Sequence, residues 1–194
     1  MSQVAISGNA AGTGVFTVAS PNSNVDRVLT LPDESGTVDT LQRSGNVIQV
    51  VNFQTGAMAT GTTVIPKDDT IPQITEGTQF MSLAITPTNA SNILIITSSV
   101  YAESSILSAG FVSALFVGVT AGALASTIHT AFTAGSGTFN TFSHRMVAGV
   151  ATELTFRVRS GTHNTGTLTF NGAAGARLLG GSLASSITIT EVTP

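Results

Sequence analysis

Ionic side chains are scarce in this chain: 9% of its 194 residues are charged, against about 25% in an ordinary soluble domain. Cysteine and tryptophan are absent, and tyrosine and lysine each occur once. Without cysteine there is no disulfide and no thiolate metal site, and the redox compartment is left open. One tyrosine, no tryptophan and no basic run leave neither stacking platform nor phosphate-binding stripe, which excludes the usual modes of nucleic-acid binding. The opening Met1-Ser-Gln-Val-Ala-Ile-Ser-Gly8 has neither a basic nor a long apolar stretch. No export signal is expected, so the chain is expected to stay in the cytoplasm of the cell that makes it or to leave by lysis.

What replaces charge is serine, threonine, glycine and asparagine, while apolar residues stay at an ordinary 42%. Threonine is stiff at its branched β-carbon, glycine loses backbone entropy, and serine and asparagine compete for backbone hydrogen bonds; all disfavour helix interiors. The composition therefore predicts an all-β protein. A monomer of this size normally carries charge on roughly 25–35% of its surface positions. A chain without it either shows water a hydroxyl-rich surface or hides surface against copies of itself, and both are expected here. The net charge of −3 is uneven. Residues 1–103 carry eight acids and three bases, whereas residues 104–194 carry Glu153 and Glu191 against four arginines.

The stretch Ser104 to Ser126 is free of charge and holds Gly118 and Gly122 at small-xxx-small spacing, as a membrane helix would. Its core, Phe111 to Val119, is β-branched and aromatic, is broken by small polar residues, and has no Lys or Arg anchor. A buried strand pair is expected instead, with no membrane insertion.

Two textures divide the chain. Residues 1–45 hold short apolar stretches (Val4–Ile6, Gly14–Val18, Val28–Leu31, Gly36–Val38) between turn formers such as Ser20-Pro-Asn22 and Pro32-Asp33. Strands this short cannot bury a core alone, so this segment is expected to need packing from the rest of the chain or from another copy. Residues 46–194 hold longer runs: Val47–Phe53, Gln79–Thr86, Ile93–Tyr101, Phe111–Val119, Leu124–Phe132, Phe142–Val147, Leu154–Arg159, Thr167–Phe170 and Ser186–Val192. In Leu154–Arg159 the apolar residues alternate with Thr155, Arg157 and Arg159, and the phase of Ile187 and Ile189 carries Glu191 onto the same side. Eight or nine strands joined by short Gly-, Asn- and Thr-rich linkers predict an antiparallel β-sandwich, jelly-roll-like in plan.

Signatures of chemistry are sparse. There is no Gly-x-Ser-x-Gly elbow, and Lys67 follows Pro66 rather than a glycine-rich phosphate loop. His129, His144 and His163 lack metal-ligand spacing. Asp68-Asp69 with Glu76 is the one carboxylate cluster; flanked by Pro66 and Pro72, it is expected to be a solvated acidic turn rather than a cation site or an acid/base pair. His144-Arg145 and Arg157/Arg159 are read as outward charges on a strand edge that block unwanted pairing, with anion or glycan binding as the alternative. Tyr101, His144, Arg145, His163, Asn164 and Asn171 are the candidate receptor-facing residues. No catalytic residue, metal ligand or cofactor is expected.

Ser20-Pro-Asn-Ser-Asn-Val-Asp-Arg-Val-Leu-Thr-Leu-Pro-Asp-Glu-Ser-Gly-Thr-Val38 resembles a segment of bacteriophage tail fibre and virion surface proteins that precedes a β-rich head. Val47–Phe53, Phe80–Pro87 and Asn92–Ile96 resemble the opening of that head, and Phe156–Gly161, Gly166–Gly172 and Gly180–Val192 its close. The order of these pieces, over most of residues 12–194, is more specific than any one of them. The resemblance implies homotrimeric assembly, other virion proteins as partners, and adsorption to the host envelope, with a surface glycan as the ligand class. The chain departs from that family in having no long shaft, coiled coil or cleavable chaperone. A short spike, or a capsid decoration protein, is the form those departures suit; a glycan depolymerase is a further alternative.

Overall fold

Among the described residues, alternation of covered and exposed side chains carries the chain through twelve strands, with one 3-10 turn at Leu179–Gly181. The structure, a computed structural model, describes residues 11–13, 17, 22, 24–26, 28, 44–106, 110–130 and 136–194. The expected N-terminal segment of residues 1–45 lies almost wholly outside them. The chain divides into two compact units, Met1–Asp39 and Thr40–Pro194, and all twelve strands belong to the second. They are β1 Val47–Thr55, β2 Ala59–Gly61, β3 Thr78–Ile85, β4 Ile93–Ser104, β5 Phe111–Val117, β6 Ala125–His129, β7 Thr138–Val147, β8 Leu154–Thr162, β9 Leu168–Phe170, β10 Gly172–Ala173, β11 Ala176–Arg177 and β12 Ser185–Val192.

Every pairing is antiparallel. Taken as eight long strands, the chain folds back on itself like one extended hairpin: β1 pairs β12, β3 pairs β8, β4 pairs β7 and β5 pairs β6. Rolling that hairpin up adds β12 to β4 and β8 to β5. Two sheets result. The first runs β1–β12–β4–β7, with β9 continuing along β4 beyond the end of β12 and β2 pairing β9. The second runs β3–β8–β5–β6. The expected antiparallel sandwich is thus what the fold shows.

One core lies between the sheets. Leu94, Ile96, Val100, Ile187 and Ile189 of the first meet Met81, Leu115, Phe156 and Val158 of the second. Each such side chain, removed from water, contributes about 1.5–3 kcal/mol. A bulge between Gln79 and Met81 turns two successive side chains inward, so Phe80 also reaches the core and stacks on Phe170 at 4.7 Å. Polar groups inside are paired: Ser113 and Ser160 share a hydrogen bond of 2.8 Å, and the Asn140 amide donates to the Phe111 carbonyl at 3.2 Å. The charge-free stretch considered for a membrane holds the buried strand β5 and ends two residues into the partly exposed β6, and no described helix is long and apolar enough to cross a membrane.

The outer face of the second sheet is covered over β5 by residues 62–77. Ile65, fully buried, packs with Ile74 on Val112, Ala114 and Phe116. Backbone bonds from Ile65 to Thr162 and from Ile74 to Ala121 fasten this strap at both ends. At the start of β5 the backbones of Gly110 and His129 run so close that a β-carbon on Gly110 would lie 1.4 Å from the His129 carbonyl oxygen. Only glycine fits there.

Candidate functional site

The six residues singled out from sequence do not converge. On β7, His144 pairs with core-facing Ile96 and is half-buried, whereas Arg145 pairs with Ile95 and is exposed. Neighbours on a strand point to opposite faces, so His144 and Arg145 cannot form one anion site. Tyr101 and Phe139 lie opposite each other further along β4 and β7, their rings meeting edge to face at 5.1 Å. The five residue steps from Ile96 to Tyr101 span about 17 Å. His163 and Asn164 follow β8; the His163 Nε2 accepts the Gly110 N–H at 2.9 Å, and the Asn164 carbonyl accepts the Thr162 hydroxyl at 2.7 Å.

Asn171 corrects the receptor-facing expectation. It has no exposed surface. Its amide donates to the Thr55 and Ala57 carbonyls at 2.7 and 3.1 Å, its Oδ1 accepts the Ser185 hydroxyl at 2.7 Å, and its backbone N–H donates to the Tyr101 carbonyl. It adopts φ 52°, the left-handed region that asparagine tolerates better than most residues. Asn171 is a knot between β1, β4, β9 and β12, not a ligand contact.

Arg157 and Arg159 require a second correction. Their strand, β8, lies between β3 and β5 and is not an edge, so their charge guards no free pairing edge. Both face away from the core and bind backbone carbonyls. Arg157 donates to Gly118, and Arg159 donates through Nε and Nη2 to Glu76 and Gly77, each at 2.7 Å. Burial, and next the neighbouring Arg157 charge, lower the pKa of the Arg159 guanidinium. These arginines hold the strap and the β5–β6 turn.

Among the described residues two carboxylates are buried, Glu103 and Glu191. Glu103 accepts the Ala174 N–H. Glu191 accepts the Thr88 N–H and hydroxyl, both at 2.8 Å, the Asn92 amide at 2.6 Å and the Gln49 amide at 2.5 Å. Burial disfavours its ionised form, and the bonds from Asn92, Gln49 and Thr88 outweigh that, so the carboxyl titrates below the usual glutamate range. The cluster ties β1 and β12 to the turn between β3 and β4. Its sequence signal is the inward phase that Glu191 shares with Ile187 and Ile189; its partners carry none.

Asp68 and Asp69 line an open groove of about 420 Å³ with Ile71, Pro72 and residues 123–126. Asp68 accepts the Thr70 hydroxyl at 2.5 Å and N–H at 2.8 Å, bonds that hold its carboxyl below the usual aspartate value. Glu76 instead accepts the Gln73 N–H. This is the hydrogen-bonded turn expected from the sequence. Among the described residues no three His, Asp or Glu side chains are placed to share a metal ion.

No family model matches the chain, and no curated protein matches it. Among solved structures it is similar to the VP2 subviral particle of infectious bursal disease virus, at 11% identity and TM-score 0.36, over 76% of this chain and 40% of that one. For the Gt strain of the same virus the values are 11% identity and TM-score 0.38, over 87% and 42%. For the enzymatically active domain of tailspike protein 4 from bacteriophage CBA120 they are 14% and 0.27, over 65% and 19%. The chain spans less than half the length of each of these viral proteins. Likeness at such scores carries no argument about function, which rests on the residues themselves.

Proposed function

We propose that this chain is a structural protein of a phage virion surface, assembled as a homotrimeric fibre or spike whose β-sandwich meets the host envelope. The observation that carries the reading is a surface poor in charge that still exposes large apolar side chains: Val47 is 60% exposed, Val50 56%, Val147 53% and Phe139 47%. Association with other copies covers such a surface. The ordered resemblance to phage fibre and virion surface proteins supports the same reading. The pairing of strands as one rolled-up hairpin supports the finer description of the sandwich as a jelly roll.

In this reading the chain is not an enzyme, and its partners are its own copies, other virion proteins and a host surface glycan. Three weak glycan contacts on one rigid head, repeated over a particle, give avidity without a deep pocket. His163 and Asn164 are the sequence-selected residues that best suit such contact. They lie beside Gly110, at the end of the sandwich opposite Asn46 and Thr193. A capsid decoration protein, which would cover the same apolar side chains against the shell, is the second reading.

Electron microscopy of particles carrying a tagged copy tests the proposal. Label on projecting fibres or spikes, with adsorption lost on deletion, is the expected result. Label over the shell, with heat resistance lost and adsorption intact, selects the decoration protein. Particles without label overturn both. Glycan turnover that disappears in the Asp68→Asn/Asp69→Asn double variant would overturn the non-enzyme assignment.

A further inference from the structure

The two outer faces of the sandwich differ. That of the second sheet is covered over β5 by the strap, whereas that of the first is open across four strands. Residues opposite one another in an antiparallel sheet share a face, so the registers define rows across it. Val50, Thr190, Ile95 and Arg145 form one row; Asn52, Thr188, Thr97 and Ser143 the next; Gln54, Ser186, Ser99 and Thr141 the third. Tyr101 and Phe139 close the face at one end, and Val192, Ile93 and Val147 at the other. Asn52, Gln54, Thr97, Thr141 and Ser143 are exposed.

Within these rows Arg145 is the one charged side chain, and it stands on the edge strand β7. Further along β4, Glu103 is buried beneath the Ala174 N–H. The two central strands therefore present no charge. An ordinary solvated sheet face would carry several, at roughly 25–35% of positions.

We propose that this face lines the threefold axis of the trimer, its occupants being the same faces of two further copies of this chain. The inference rests on the trimeric reading above. Around a threefold axis a residue near the centre meets two copies of itself, so any charge there is placed among like charges in a site short of water. Hydroxyl and amide groups escape that penalty, because each both donates and accepts and can bond to its own copies directly or through water. The middle rows consist of such groups alone. The charge stands where such an arrangement puts it furthest from the axis, on the outer strand. Four strands at about 4.8 Å and nine residues at about 3.3 Å give a face of roughly 19 by 30 Å. The resulting area, about 570 Å² before side-chain relief, approaches the ~800 Å² that each partner contributes to a standard interface.

The test uses the full chain and two substitutions at the centre of the face. Thr97→Glu is expected to reduce the native mass from three chains to one, while Ser82→Glu, on the outer side of the other sheet, leaves it at three. Because the parent lacks cysteine, Thr97→Cys supplies a second readout that needs no loss of assembly. Mild oxidation is expected to give a covalent two-chain product that Ser82→Cys does not give. A parent that is a single chain in solution overturns the trimer itself. A trimeric parent with no Thr97→Cys product and an unaltered mass for Thr97→Glu overturns the placement of this face alone. A trimer that keeps its mass in Thr97→Glu but loses glycan binding makes the face a glycan platform and likewise overturns the placement.

Discussion

Asn171 and Glu191 show how single residues hold this fold where charge pairs are scarce. Truncating Asn171 to alanine leaves the Thr55 and Ala57 carbonyls and the Ser185 hydroxyl without their partner. It also puts a β-carbon without a compensating amide at φ 52°. A loss of about 2–3 kcal/mol is expected, read from denaturant unfolding, and Asn171→Gly should recover only the backbone part. A loss under half a kilocalorie would contradict the buried knot. For Glu191 the folded pKa lies below the unfolded value of about 4.3. The unfolded chain therefore binds the proton more readily, and stability rises with pH across that window. Its contribution is fully present above the unfolded pKa and is lost as pH falls through the lowered folded value. Glu191→Gln should flatten the acid limb of a stability–pH curve and lower the plateau by about 1–3 kcal/mol, because an amide offers an N–H where only acceptors fit.

At the scale of elements, most long strands were legible because one side is buried and period-two alternation records which side, whereas β5, buried on both sides, reads as a continuous apolar run. Phe156 and Val158 face the core, and Arg157 and Arg159 face outward, as the alternation predicts. The strap was not legible. Residues 62–77 read as a polar stretch between prolines, because the apolar anchors Ile65 and Ile74 lie too far apart to show a period. Its fastening through Arg159 uses backbone carbonyls, which no sequence pattern marks. The buried role of Asn171 was hidden for the same reason, since its partners are main-chain atoms more than a hundred residues away. The strap has a convenient reporter in Lys67, the one lysine in the chain, which is exposed. Ile65→Ala removes a fully buried anchor at a cost of about 2–5 kcal/mol, and Arg159→Ala frees the Glu76 and Gly77 carbonyls. Both variants should speed cleavage by a lysine-specific protease into residues 1–67 and 68–194. An unchanged cleavage rate would show that the strap does not depend on these two contacts.

For the whole molecule, scarcity of charge is the feature from which the assembly reading follows. A chain with 9% ionic residues leaves hydroxyl rows and exposed valines where a monomer would place lysine and glutamate, and like copies can meet there without repulsion. With association as proposed, folding and assembly would be one equilibrium and stability would depend on protomer concentration. Sedimentation of the full chain over a hundredfold dilution, paired with thermal unfolding at each concentration, measures this directly. The account predicts a particle of three 19.7 kDa chains and an unfolding midpoint that rises with concentration. A single 19.7 kDa species with a midpoint independent of concentration would contradict it.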